Sequence, residues 1–200
     1  MRTELRKEIF KKIKDKNLKA FSCFDFTDLA PYKAISKCLE RLEDSQDIRR
    51  IILGIYCLNI IDRELSLPVL PSIDEVVECL ARKNKWIISP SGNTALNLMG
   101  LSTQVPAVYE YLSSGPYKDY EIYGIHVHLK RTMARELISY SEKTLLLIQC
   151  IKAIGKESIT FNDVAALSLR LDTKEKRQAL KETTAVQAWI RKIIVLVCNE

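Results

Sequence analysis

Residues 31–58 read PYKAISKCLERLEDSQDIRRIILGIYCL, a helical pattern that gives way to a strand pattern within a few residues. In the first half, Ile35, Cys38, Leu39 and Leu42 fall at i, i+3, i+4 and i+7 and share one helix face. Lys33, Ser36, Lys37, Glu40 and Arg41 take the other. Pro31 suits the first turn of such a helix, because its missing N–H has no helical partner there. In the second half, β-branched and aromatic residues flank Leu53-Gly54, and glycine's tolerance of positive φ makes that dipeptide a hairpin turn. The alternation at Ile48-Arg49-Arg50-Ile51 is broken, which leaves open which arginine faces outward.

Upstream, Leu5, Ile9, Phe10 and Ile13 recur at helical spacing and predict an amphipathic first helix over Arg2 to Lys16, with a turn at Asn17. The run AFSCFDF then leads into Thr27, Asp28 and Leu29, where there is room for only a short second helix. Helix, short helix, helix and hairpin within about 60 residues is the order of a winged helix-turn-helix, whose third helix commonly enters the DNA major groove. On that reading Lys33, Lys37 and Arg41 neutralise phosphates or reach guanine edges, Ser36 hydrogen-bonds either, and Arg49 or Arg50 sits near the wing. Glu40, Glu43, Asp44 and Asp47 dilute that charge. Small helix-hairpin units with a solvated lysine face also serve as protein–protein modules.

Downstream, RELSLPVLPS at 63–72 holds two prolines and no period, which reads as a linker closing the first domain at residue 62. Ser72 and Glu75 form a capping box for a helix over residues 72–85, whose stripe is Ile73, Val76, Val77 and Leu80. Strands are expected at Trp86 to Ile88, at Val105 to Leu112 and around Tyr120 to Leu129, with helices within Glu142 to Ile154 and Ala185 to Val197. The expected fold class is α+β: a winged helix-turn-helix over 1–62, a linker, and a mixed α/β domain over 73–200.

The 200 residues are 47% hydrophobic, enough to bury a sizeable core. The longest apolar stretch, Ile51 to Ile61, is shorter than the roughly 18 to 20 residues that span a bilayer, so no membrane span is expected. The charged N-terminus lacks the apolar core of a secretory signal, and a cytoplasmic protein is expected. The net charge is +6, and Met1 to Ala20 carries eight basic against three acidic side chains. That concentration suits a polyanionic partner or a solvated helix face.

Catalysis has few candidate groups. Cys23, Cys38, Cys57, Cys79, Cys150 and Cys198 are far apart, without a CxxC pair, and read as reduced, mostly buried thiols. His126 and His128 alternate with Ile125, Val127 and Leu129, which puts both on one side of a strand and facing solvent, without clustered carboxylates to complete a metal set. Lys130, Arg131 and Arg135 follow as a second basic cluster. In PSGNTALNLMGLSTQVP at 90–106, a Walker-type phosphate loop fails because no lysine lies between Trp86 and Tyr117, and a nucleophile elbow fails because Ser91 and Ser102 lack flanking glycines. Instead Ser91 or Asn93 caps a short helix that buries Ala95, Leu96, Leu98 and Met99, and Gly100 ends it in the left-handed region. The run Ser102-Thr103-Gln104 is more elaborate than a turn requires. No catalytic residue, metal or cofactor is expected, and the protein is not expected to be an enzyme.

Three stretches together carry a family resemblance: FDFTDLAPYKAISKCLERLEDSQDIRRIILGIYCL at 24–58, IISPSGNTALNLMGLSTQVPAVYEYLSSGP at 87–116, and IHVHLKR at 125–131. Over roughly residues 5 to 135 the chain resembles the AbiEi-type antitoxins of bacterial abortive-infection, type IV toxin–antitoxin systems; the last 65 residues carry no motif. The resemblance implies an N-terminal winged helix-turn-helix that binds inverted repeats in double-stranded operator DNA and represses its own operon. It also implies a second domain that counteracts a nucleotidyltransferase-like toxin. Transferred by position, Tyr32, Lys33, Ser36, Lys37 and Arg41 would read or clamp DNA, and Lys130 and Arg131 would add backbone contacts. The chain departs from the family pattern in the acidic stretch after Arg41 and at Leu53, where a basic residue is common. The alternative is a protein-interaction module that masks a partner without sequence-specific DNA binding.

Overall fold

The computed structural model describes residues 2–199, with side-chain surroundings from Glu4 onward, so the Arg2 side chain counted in the basic N-terminus lies outside the described residues. The fold is α+β and divides into two compact units, residues 1–86 and 87–200.

The first unit opens with α1 (Arg2–Asp15), which turns its buried Ile9 and Ile13 inward and stops at Asn17, a residue with φ of +48°. The short second helix is a single 3-10 turn at Cys23–Phe26, ahead of the Thr27–Leu29 position expected from sequence. The cause is local: the Ser22 N–H and hydroxyl both donate to the Asp25 carboxylate, at 2.7 and 3.0 Å, which closes the turn early. Next comes α2 (Tyr32–Asp44), starting directly after Pro31 and burying Ile35, Leu39 and Leu42, each worth about 1.5–3 kcal/mol of transfer free energy. Strands β1 (Ile48–Ile52) and β2 (Ile55–Leu58) form the antiparallel hairpin around Leu53-Gly54, with Gly54 at φ +73°. Phe21 ties helices to hairpin. Its N–H donates to the Tyr56 carbonyl at 2.9 Å, and the Tyr56 N–H donates back at 2.8 Å.

The domain boundary differs from the sequence reading. Helix α3 (Ile73–Asn84), capped as expected by Ser72 and Glu75, packs on the 3-10 turn and β2 and belongs to the first unit. Arg82 on α3 donates to Asp25 at 3.1 Å and to the Ala20 carbonyl at 2.9 Å, and Lys83 donates to the Leu53 carbonyl at 3.1 Å. The prolines at 68 and 71 therefore mark an excursion within the unit. Residues 60–69 fold back on themselves as a narrow ribbon, with the Asp62 N–H bonded to Leu67 and the Val69 N–H to Ile60.

The second unit holds a four-stranded sheet in the order β3 (Ile88–Ser91), β4 (Val108–Ser113), β6 (Ile125–Arg131), β5 (Lys118–Ile122), in which only β4 and β6 run parallel. One strand expected around 120–129 is in fact the β5–β6 hairpin, because Tyr123 and Gly124 both adopt positive φ, +55° and +77°, the signature of a tight two-residue turn. Pro90 lies within β3, which an edge position permits.

Helix α4 (Gly92–Leu98) follows β3 and is succeeded by Gly100 in the left-handed region, as expected. The Ser91 hydroxyl, however, is buried and caps nothing. The Ser102–Gln104 run wraps around Asn97, whose side-chain amide donates to the Ser102 and Gln104 carbonyls at 3.2 and 3.0 Å. Helices α6 (Glu142–Ile154), α7 (Phe161–Ser168) and α9 (Ala188–Asn199) join α4 in one apolar cluster that includes Met99, Leu147, Ile151, Leu167, Ile190 and Ile194. Short α5 (Ala134–Ile138) and the polar α8 (Thr173–Glu182) complete the unit. No described helix is long and apolar enough to cross a membrane.

Candidate nucleic-acid interface

The buried stripe of α2 fixes what its outer face presents. With Ile35, Leu39 and Leu42 inside, Lys33, Lys37, Glu40, Arg41 and Asp44 are exposed. Lys33, Lys37 and Arg41 make no ion pair among the described residues. The acidic stretch that follows is partly consumed inside the unit: Glu43 accepts from Arg50 at 2.6 Å, and Asp47 accepts from Arg6 at 2.8 Å. On α2 itself, Glu40 and Asp44 are left to oppose the three cations. Glu4 and Glu8 of α1 line one cleft with Lys37 and Arg41, which lowers the positive potential on that flank.

Two of the expected contacts sit elsewhere. Ser36 is half-buried, and its hydroxyl and that of Tyr32 both turn to the Cys23 thiol. Burial pushes the Cys23 pKa up, and the two hydroxyls partly offset the rise. Ser36 is thus drawn toward the 3-10 turn while staying partly open to solvent. Tyr32 keeps an exposed ring, tilted against Phe24 at a centroid distance of 5.3 Å.

The hairpin resolves the question about its two arginines. Arg50 pairs with Glu43 and lies over the Tyr56 ring, 5.4 Å from the centroid, so its guanidinium is committed within the unit. Arg49 points to the opposite side of the strand, is exposed, and makes no ion pair among the described residues. At the hairpin tip, Leu53 is 83% exposed where a cation was wanted, yet Lys83 from α3 stands beside it. A β-carbon on Gly54 would lie 2.6 Å from the Lys83 ammonium. Lys83 could not be assigned to the hairpin tip from sequence, because the link is a tertiary contact across 30 positions. On α1, Lys7, Lys11 and Lys14 form an exposed stripe at i, i+4 and i+7, also without ion pairs among the described residues.

In the second unit, Lys130 and Arg131 are successive residues of β6 and so project from opposite sheet faces. Lys130 is bound to Glu110, whereas Arg131 is exposed and makes no ion pair among the described residues. The two do not form a single clamp. His126 and His128 share a face as expected, but His128 is engaged: its Nδ1 lies 2.6 Å from Asp119. A basic stripe that the sequence reading missed runs along α8, where Lys174, Arg177 and Lys181 fall at i, i+3 and i+7. The signal was available, since Asp172 and Glu175 form the same capping box as Ser72 and Glu75.

The thiols have the character expected of them. Cys23, Cys57, Cys79 and Cys150 are buried and all six cysteines are free. Burial drives Cys79 and Cys150 up to about 12, so both stay protonated and poorly nucleophilic near neutral pH. Among the described residues no group of three His, Cys, Asp or Glu is placed to hold a metal.

Compared with known proteins, the chain matches one family model, described as "Family of unknown function (DUF6088)", over residues 6–180, and it belongs to that family. The match crosses both compact units. No curated protein matches the chain.

Proposed function

We propose that this member of the DUF6088 family is a non-enzymatic, cytoplasmic DNA-binding protein that uses residues 1–62 as a winged helix-turn-helix, buttressed by α3. The observation that carries this reading is the set of exposed cations, without ion pairs among the described residues, on consecutive elements of one unit: Lys33, Lys37 and Arg41 on α2, and Arg49 on the hairpin. Lys83 adds charge at the hairpin tip. Such groups release condensed counterions from a duplex, a favourable term at physiological salt. The resemblance to AbiEi-type antitoxins extends the proposal to autorepression through operator inverted repeats and to antitoxin action against a nucleotidyltransferase-like toxin.

The two hairpin arginines test the geometry. In a fluorescence-anisotropy titration with duplex from upstream of its own gene, Arg49→Ala is expected to weaken binding about 5- to 10-fold, as loss of one phosphate contact does. Arg50→Ala removes the Glu43 pair and the cover on Tyr56, and is expected to cost up to about 1 kcal/mol of stability with a smaller change in affinity. Equal effects of the two substitutions on binding would count against this orientation of the hairpin.

A second reading has its own supporting feature. In the second unit an apolar groove between α7 and α9 is lined by Phe161, Trp189, Ile193 and Leu196 and flanked by Lys156 and Lys192, with Phe161 85% exposed. This surface suits a protein partner with acidic flanks, in keeping with a module that masks a partner. A stable complex with the neighbouring gene's product, together with no shift of operator DNA, would favour it.

A further inference from the structure

The ribbon at residues 60–69 is unlike the rest of the surface of the first unit. Ile60, Ile61, Leu65, Leu67, Val69 and Leu70, all within eleven residues, are each between 38% and 70% exposed. Isolated apolar side chains on a surface are ordinary, but six in one short segment form a patch that marks an interaction site. A two-stranded ribbon of this length is also marginal in water without a further strand or a covering surface.

Its backbone limits where that strand can come from. The ribbon closes on itself through the Asp62 to Leu67 and Val69 to Ile60 bonds, so the Ile61 N–H and carbonyl point away from it and have no backbone partner among the described residues. On the other edge Pro68, the residue bridged to Ile61, has no N–H to offer. One edge is therefore open and one is blunted. At the base of the ribbon, an apolar cleft of about 580 Å³ is lined by Phe10, Leu18, Ile60, Val69 and Leu70. Lys14 and Lys19 stand on its rim, and neither is in an ion pair among the described residues. The exposed tip carries Glu64, likewise without an ion pair, next to Leu65. Asp62 is occupied at the tip, accepting from the Glu64 and Leu65 N–H groups at 2.9 and 2.8 Å.

We propose that this ribbon is a dimerisation arm that pairs with the same arm of a second copy of the chain, edge to edge about Ile61. An edge strand that pairs antiparallel with its own copy generates a two-fold axis, and the interface is isologous. The pairing sets each tip beside the other copy's ribbon base. Leu65 and Leu67 then cover the partner's cleft, and Glu64 meets the ammonium groups of Lys14 and Lys19. One arrangement thus satisfies the open edge, the apolar patch and the opposite charges.

Sedimentation equilibrium of the full chain, from about 1 to 100 µM, reads the result directly. The native chain is expected to be dimeric in this range. Leu65→Asp with Leu67→Asp is expected to weaken the dimer at least about 100-fold, as loss of a buried apolar centre does. Glu64→Lys alone, and Lys14→Glu with Lys19→Glu, are each expected to weaken it. Combining all three charge changes in one chain is expected to restore it, an outcome that general misfolding cannot produce. A native chain that stays monomeric throughout overturns the proposal and leaves the edge to a strand of another protein. A dimer indifferent to the arm substitutions overturns it equally. Neither outcome bears on DNA binding by one copy at a half-site, so failure here is distinct from failure of the proposed function.

Discussion

Replacing Lys33, Lys37 and Arg41 together by alanine is expected to lower affinity for duplex DNA by about 100- to 1000-fold and to reduce the slope of log K against log salt by about 2 to 3. The slope is the more telling number. Each phosphate contact releases close to one counterion, so a helix lying along the duplex must show its cations in the salt dependence. The substitution is structurally mild, because all three side chains are exposed, none is in an ion pair among the described residues, and alanine favours helix. A titration in which affinity falls but the slope does not change would mean that the loss came from something other than phosphate contacts by α2. Glu40 and Asp44, the carboxylates left on that face, act in the opposite direction: neutralising them should tighten binding without sharpening sequence preference.

The second large effect is on stability. Phe21→Ala is expected to cost about 3–5 kcal/mol, the range for deleting a buried aromatic ring. Phe21 is fully buried, meets Phe26 edge-on at 5.7 Å and stacks with Tyr56 at 6.5 Å. Its backbone pairs with Tyr56 as a third, one-residue strand. The ring therefore joins the 3-10 turn to the hairpin, and its loss frees both from α2. Because two compact units need not unfold together, the loss is best read on the first unit, by native-state hydrogen exchange of amides in α2 across a urea series. Phe24→Ala is the control: that ring is 49% exposed against Tyr32 and should cost under about 1 kcal/mol. Similar costs for the two substitutions would contradict the packing described for this unit.

The parts of the fold legible in sequence were those decided locally. The stripe Ile35, Cys38, Leu39, Leu42 defines α2, Gly54 makes its turn, and Ser72 and Glu75 start α3 within one residue of expectation. What was missed depended on contacts distant in sequence or on turn chemistry at unexpected residues. The prolines at 68 and 71 suggested a boundary, but Arg82 reaching Asp25 across 57 positions keeps α3 in the first unit. Tyr123 is an unusual residue for a positive φ, so the β5–β6 turn read as continuous strand.

The candidate site divides the same way. Lys33, Lys37 and Arg41 follow from helical period alone. The inward turn of Ser36, the commitment of Arg50 to Glu43 and Tyr56, and the arrival of Lys83 at the hairpin tip are tertiary facts without a local signature. Sequence alternation does predict that Lys130 and Arg131 point apart, but the pairing of Lys130 with Glu110 depends on the register of β4 with β6.

Binding of the native chain to duplex from upstream of its own gene, set against an unrelated duplex of equal length at two salt concentrations, separates sequence-specific recognition from mere basic attraction. Sequence-specific recognition predicts a preference for its own upstream sequence of about 1000-fold or more, and a clear weakening of both complexes as salt rises. Equal affinity for the two duplexes, or no binding to either at the lower salt, would contradict it.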